Sequence, residues 1–283
     1  MIDMAMSGPL RIAPRRHPWR WVGAAVSVLV LAALLRAFAE GAIEWHIVGQ
    51  FLTAPAVLAG VVNTCIMTVA AMALGLSLGV LFATMALSPN PVLRVIASGY
   101  VWFFRGTPLL LQLLLWFNLA LIFPRLGLSG VATWRTVDVI TPFIATLLGL
   151  GINQGAYTAE VVRSGILSVD AGQVEAARSI GMTRLLLLRR IVLPQALRVI
   201  IPPVGNEVVS MVKLTSVASV IGFAEVLHSA QTVYYANARV IELLIVAATW
   251  YLGVVTVLSL GQMALERAVG GAGRRASKDE VRA

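Results

Sequence analysis

Two sets of polar residues recur at helical spacing inside otherwise apolar stretches of this sequence. Asn153, Tyr157 and Glu160 fall on one helix face with Gln154 adjacent, and Asn206, Ser210 and Lys213 do the same with Glu207 beside them. A carboxylate accepts from an ammonium group, and lysine and amides donate to a carboxylate. Two such stripes facing each other would line a path for a zwitterionic solute. The same residues also fit a second arrangement: an internal Glu–Lys pair and interhelical hydrogen bonds that hold a bundle together, with Glu160 and Glu207 solvated near the ends of their helices. Both arrangements are noncovalent.

Covalent and nucleotide chemistry lack the necessary residues. The single cysteine, Cys65, sits in an apolar run and excludes an intrachain disulfide. His17, His46 and His228 lie far apart, without the spacing of metal ligands. No GxxxxGK[ST] phosphate loop surrounds either lysine, Lys213 or Lys278. The chain is therefore expected to bind no cofactor or metal of its own.

The elements that position the polar stripes are membrane helices. Of 283 residues, 59% are hydrophobic and only 12% charged, with mean hydropathy +0.86, whereas soluble domains carry about 25% charged residues. A crossing takes about 20 apolar residues, and the candidate spans are 21–38, 56–87, 108–123, 142–162, 201–223 and 240–265. The second exceeds one crossing and the third is short. Lys213 falls inside the fifth, where a central lysine costs about 2.5–3.5 kcal/mol.

Topology accounts for the net charge of +9, which in a soluble protein would suggest nucleic acid; no nucleic-acid partner is expected here. Seventeen of the 22 lysines and arginines lie in the N-terminal tail, 88–107, 163–200 and the C-terminal tail, which share one side if there are six spans. Only Arg36, Arg125, Arg135 and Arg239 lie opposite. This bias places both termini in the cytoplasm. The first span (21–38) ends near Ala37-Phe38-Ala39, which resembles a signal-peptide cleavage site, but its length favours a retained anchor. The tails 1–20 and 268–283 read as cytoplasmic and disordered, and residues 40–55 as an outer interfacial segment.

The polar interruption at 170–196 has the marks of structure. Asp170 with Gln173 makes a capping-box-like start, and Gly181 stands where a left-handed C-terminal cap belongs. Thr183 caps a second short helix, with Met182 and Leu187 as a hydrophobic staple, and Pro194 limits its continuation. The charge count puts this segment in the cytoplasm, where it reads as a docking site. Pro202-Pro203 interrupts the start of the fifth span, as a hinge or as a loop-to-helix entry. Gly75/Gly79 and Gly151/Gly155 are GxxxG spacings that allow close helix approach, for packing or for a gate.

These residues also carry a resemblance. Glu175-Ala176-Ala177, three residues, Gly181, nine residues, then Ile191-Val192-Leu193-Pro194 resembles the EAA loop of permease subunits in bacterial ABC importers. Residues 100–118, with Arg105-Gly106-Thr107-Pro108 followed by Gln112, and residues 153–169 and 193–222 are similar to permeases for polar amino acids. Together the resemblance covers about residues 45–265.

The resemblance implies an all-α, polytopic membrane bundle of about six helices: a five-helix permease core of the type I importer kind plus an N-terminal span. The transmembrane domain would occupy 56–265 and contain the coupling loop 170–194. Two ATPase subunits, which bind ATP and Mg, would dock from the cytoplasm on Glu175, Ala176, Ala177, Gly181, Ile191, Leu193 and Pro194. A second permease subunit, identical or homologous, would complete the membrane part. A periplasmic or lipid-anchored binding protein would deliver a polar amino acid, to be moved across the bacterial inner membrane by alternating access. The chain itself would be a transport subunit, not an enzyme. Its solute path would run along Asn153, Gln154, Tyr157, Glu160, Asn206, Glu207, Ser210 and Lys213. Two other functions stay open: a permease of the same architecture for an opine or sulfur-containing amino acid, and an ion-gradient-driven carrier. The carrier should show duplicated halves with broken helices, and no internal repeat stands out.

Overall fold

A computed structural model describes the backbone of residues 18–128 and 132–280 and the side chains of 19–127 and 133–268. Most of the N-terminal tail, 1–17, and residues 281–283 lie outside the described residues. The chain divides into two units, 1–44 and 45–283. The first contains α1 (Pro18–Ala39), 22 residues whose side chains are exposed from Trp19 onward. A helix this long reaches about 33 Å, and one apolar all round suits lipid on every side.

The second unit opens with α2 (Trp45–Leu52), α3 (Pro55–Ala86), α4 (Pro91–Gly106) and α5 (Leu109–Phe117). A 3-10 turn (Leu119–Leu121) leads to a hairpin of β1 (Arg125–Leu128) and antiparallel β2 (Ala132–Arg135), in which Arg125 pairs with Arg135. After α6 (Thr136–Val139) come α7 (Pro142–Leu167), α8 (Ala171–Ser179) and α9 (Arg184–Leu187). A π-turn (Leu188–Val192) joins α9 to α10 (Leu193–Leu214), and a 3-10 segment (Thr215–Ile221) leads to α11 (Val226–Asn237) and α12 (Val240–Glu280).

Helix α7 is the centre of this unit, and α3 lies along it. The two GxxxG spacings meet there. A Cβ on Gly79 would stand 2.6 Å from Thr158 and 3.1 Å from the backbone nitrogen of Ala159. One on Gly155 would stand 2.5 Å from the Tyr100 hydroxyl and 2.8 Å from Leu78. Met67, Met72, Leu113, Leu150, Met211 and Phe223 complete the apolar core beside this contact. The outer segment expected over 40–55 contains α2, fastened by Trp250 Nε1 donating to the Leu52 carbonyl at 2.9 Å.

The structure corrects several expectations. The third span is not one helix over 108–123, and 88–107, placed outside the spans, contains α4: α4 and α5 form a pair bent by 101°. Thr107, the residue before Pro108, is forced extended (φ −111°, ψ 144°), and Pro108 cannot donate to continue a ladder. The fifth span is a second bent pair, Arg184–Ile221 with α11 at 44°. Pro202 and Pro203 lie in the interior of α10 rather than at an entry. Pro194 does not stop the helix before it; it occupies the first turn of α10, where a missing N–H costs nothing. The backbone of α12 is helical to Glu280, beyond position 268 where a disordered tail was expected. The hairpin is a small departure from an all-α chain.

Among the described residues, three helices are long and apolar enough to cross a membrane, or up to five if each bent pair is one span. Helix α7, with 26 residues, is long enough at about 39 Å but carries a polar face. It makes the sixth.

Replacing Gly79 by leucine is expected to destabilise the α3–α7 contact by about 1–3 kcal/mol. The same change at Gly99, which has open space around its Cβ position, should be near neutral. Thermal unfolding of the detergent-solubilised variants measures the difference; equal midpoints would show that the contact is slack.

Candidate functional site

The polar faces of α7 and α10 meet around one cavity of about 460 Å³. Helix α7 contributes Asn153, Gln154 and Tyr157, and α10 contributes Asn206, Glu207 and Ser210. The break between α4 and α5 closes a third side with Thr107, Pro108 and Leu109. These last three were not among the sequence candidates; Pro108, following Thr107, was the available signal.

Two candidates stand elsewhere. Glu160 is one turn further along α7, and its carboxylate accepts from Arg163 Nε at 3.1 Å and from the same guanidinium's terminal nitrogen. Lys213 is not mid-helix but in the last turn of α10, with its side chain exposed. A cation there is placed favourably by the helix dipole. The internal Glu–Lys pair does not form, because Lys213 is six residues from Glu207 and points to another side of α10. Glu207 is held by α7 instead: Thr158 Oγ1 donates to its Oε2 at 2.9 Å. The same hydroxyl accepts from Gln154 Nε2 at 3.1 Å.

The α4–α5 break exposes backbone carbonyls that hydrocarbon cannot satisfy. Two amides cover them. Gln112 Nε2 lies 3.0 Å from the Phe104 carbonyl, 3.1 Å from that of Thr107 and 2.7 Å from Thr107 Oγ1. Asn153 Nδ2 donates to Phe104 O at 2.8 Å and to Gln112 Oε1 at 3.2 Å. Asn153 thus both lines the cavity and locks its wall. Tyr100, whose hydroxyl donates to Ile152 O at 2.6 Å, ties α4 to α7 a turn away. The Arg105 guanidinium sits over the Tyr157 ring, 5.1 Å from its centroid, an attraction of the cation–π kind.

A second polar knot escaped the sequence reading. Glu225 is fully buried and caps α11, accepting from Leu227 N at 2.9 Å and His228 N at 2.7 Å and from the Tyr251 hydroxyl. Thr64 Oγ1 accepts from Val226 N at 3.2 Å, and Asn63 donates to Ala224 O at 2.8 Å. The knot joins α3, α11 and α12 at the second bend. All of its contacts are explained by closing that bend.

The segment after α7 has the caps that its sequence suggests. Asp170 Oδ1 accepts from Gln173 N at 3.1 Å. The side chain of Gln173 reaches across instead of back, taking a bond from Gln195 Nε2 at 2.6 Å. Gly181 has φ +78°. Met182 N donates to Ala177 O at 3.1 Å and Gly181 N to Arg178 O at 2.9 Å, a Schellman closure. Thr183 Oγ1 caps α9 from Leu186 N at 3.4 Å. Ala177, Leu187 and Val192 are buried together, with Met182 and Ile191 packed against them. Glu175, Ala176, Leu193 and Pro194 are exposed, as are Ile180 (79%) and Leu185 (75%). Beside a small helix stiffened from within, Ile180 and Leu185 are large apolar side chains left in the open, a feature common on contact surfaces.

Comparison with known proteins agrees with this geometry. The pattern described as "Binding-protein-dependent transport system inner membrane component" matches residues 75–271. The chain is 37% identical over 265 residues to the arginine transport system permease protein ArgU of Corynebacterium glutamicum, covering 93% of this chain and 84% of ArgU. It is 40% identical over 205 residues to the nopaline transport system permease protein NocM of Agrobacterium fabrum, covering 72% of this chain and 84% of NocM. The crystal structure of an amino acid ABC transporter with histidines superposes with TM-score 0.67 at 35% identity, covering 76% of this chain and 94% of that one. With its bent membrane helices and a polar cavity between them, the chain belongs to the binding-protein-dependent inner-membrane components, as a multi-pass permease subunit of an ABC importer.

Proposed function

We propose that this permease moves polar amino acids into the cytoplasm by alternating access, driven by a separate ATPase. The observation that carries the reading is the convergence of α7, α10 and the α4–α5 break on one cavity. A zwitterion finds a carboxylate there, Glu207, and neutral donors in Asn206, Gln154 and Ser210. Helix α5 opens at the cavity from Pro108, which gives it no side-chain cap, so its first N–H groups add donors for a solute carboxylate. The likeness to an arginine and a nopaline permease supports the solute class. The nopaline relative also favours a second reading, in which the solute is an opine.

Coupling runs through α8. In this reading two ATPase subunits, holding ATP and Mg, seat the exposed face of Glu175, Ala176 and Ile180. Ala177 and Gly181 keep α8 rigid, while Ile191, Leu193 and Pro194 connect it to α10. The Gln173–Gln195 bond and the shared apolar cluster carry displacement from α8 into α10, one wall of the cavity. ATP binding draws the α8 helices of two permease subunits together and favours the outward-open state; hydrolysis resets it. The excess of basic residues in 163–200 supports a cytoplasmic position for α8 and for both termini. Asn206, Ser210 and Lys213 are exposed on an otherwise apolar span, which supports a second permease subunit, identical or homologous, against or near that face. The binding protein, periplasmic or lipid-anchored, delivers the solute from outside.

Reconstitution with the cognate ATPase and binding protein tests the solute class: polar amino acids should raise ATP hydrolysis severalfold, and a flat response to all of them would overturn it. The coupling role has its own test. A β-branched residue is strained by roughly 1–3 kcal/mol at a left-handed position, so Gly181→Val should leave membrane insertion intact and cut uptake per ATP hydrolysed. Unchanged uptake would remove α8 from the coupling path.

A further inference from the structure

Three amides line the cavity, and they differ in how their N–H groups are used. Asn153 donates to Phe104 O and to Gln112 Oε1, and Gln154 donates to Thr158 Oγ1. Asn206 instead accepts: Gln262 Nε2 of α12 reaches its Oδ1 at 2.9 Å. An amide held by its oxygen turns its nitrogen the other way. Asn206 Nδ2 has no hydrogen-bond partner among the described residues, which leaves it as a donor for a solute.

The direction of this bond is set one turn further along α12. Gln262 Nε2 also donates to Glu266 Oε1 at 2.9 Å. A carboxylate only accepts, so Glu266 selects the nitrogen end of Gln262, and that nitrogen in turn selects the oxygen end of Asn206. Packing holds the same arrangement. A Cβ on Gly205 would stand 3.0 Å from Gln262 Cγ and 3.1 Å from its Cδ, so the glutamine lies directly against the backbone of α10. Gln262 itself stands outside the cavity lining.

We propose that Gln262 is a positioning residue for solute recognition: it holds the Asn206 amide so that Nδ2 faces the cavity and donates to the solute carboxylate; this rests on the transport reading above. An unheld asparagine can present either end. Its oxygen repels a carboxylate, whereas its nitrogen gives that carboxylate a charge-assisted hydrogen bond. The relay from Glu266 through Gln262 to Asn206 removes the choice before the solute arrives, so ordering the amide takes nothing from its affinity. Arg105 of α4, over the Tyr157 ring of α7, is the competing partner for the same carboxylate.

Binding of L-arginine and of L-argininamide, which lacks the carboxylate, to the purified permease–ATPase complex in lipid nanodiscs isolates this contact from any binding protein. The unaltered complex should hold L-arginine at least about tenfold tighter than the amide, as one charged hydrogen bond provides. Gln262→Met should weaken L-arginine about tenfold and leave L-argininamide within about twofold. Gly205→Ala, which presses on Gln262 without removing it, should shift the two solutes in the same sense. Asn206→Leu should match Gln262→Met, and the double variant should lose no more than Asn206→Leu alone, because Gln262 acts through Asn206. Equal weakening of both solutes by Gln262→Met, or additive losses in the double variant, would make Gln262 only a clamp between α10 and α12. An Asn206→Leu complex that keeps the full preference for L-arginine would assign the carboxylate to Arg105. Either result overturns the positioning role and leaves amino acid transport standing. Binding of no amino acid by the unaltered complex would bring down the transport reading with it.

Discussion

Hydrocarbon offers no partner to a backbone carbonyl, so a helix that breaks inside a membrane must be answered by the protein itself. This constraint organises the permease around Thr107-Pro108. The proline ends α4, the chain turns by 101°, and carbonyls are released at Phe104 and Thr107. Gln112 returns from α5 to cover them, and Asn153 reaches over from α7 to share the Phe104 carbonyl. The repair costs two amides and yields a cavity wall that is polar, rigid and anchored to the central helix. The cavity and the repair of the break are therefore one structure.

Helix α7 can serve both because its sides are divided. Toward α3 it presents Gly151 and Gly155, and the approach is too close for a Cβ. Toward α10 it presents Asn153, Gln154 and Tyr157. Lipid tails give helices no hydrophobic reason to associate, so close packing on small residues must hold the rod. The polar side holds neighbours at only two places, where Asn153 covers the α4–α5 break and where Thr158 meets Glu207. A helix apolar enough to be recognised by composition alone could not have carried this second face.

Local signals were the legible ones. Asp170, Gly181 and Thr183 announce caps through residue type and spacing, and all three perform as such. The stripes on α7 and α10 were visible from periodicity, and six of their eight residues, Asn153, Gln154, Tyr157, Asn206, Glu207 and Ser210, share the cavity. What periodicity could not show is where a helix ends or which residue takes which partner. Glu160 went to Arg163, one turn along its own helix, and Lys213 to the exposed end of α10. The break at Thr107 was hidden because counting apolar residues weighs side chains, while the break is an event in the backbone. Glu225 was silent for a related reason: its role is set by Thr64 and Tyr251, residues from distant parts of the chain.

If α8 is the coupling element, the prolines of α10 decide how its force would arrive at the cavity. Pro202 and Pro203 supply no N–H to the ladder, so the carbonyls of Arg198 and Val199 lack helical partners. Between Leu193, beside the α8 cluster, and Pro202 there are about 13 Å of ordinary helix; Glu207 follows just beyond. A rod with two absent rungs resists shortening, since the proline rings press on the preceding turn, but it yields to sideways bending. The stroke from α8 would then reach Glu207 as a push along the axis, with tilt absorbed at the joint. The permease would work more as a piston than as a crank, and the cavity would keep its shape while it changes the side to which it opens.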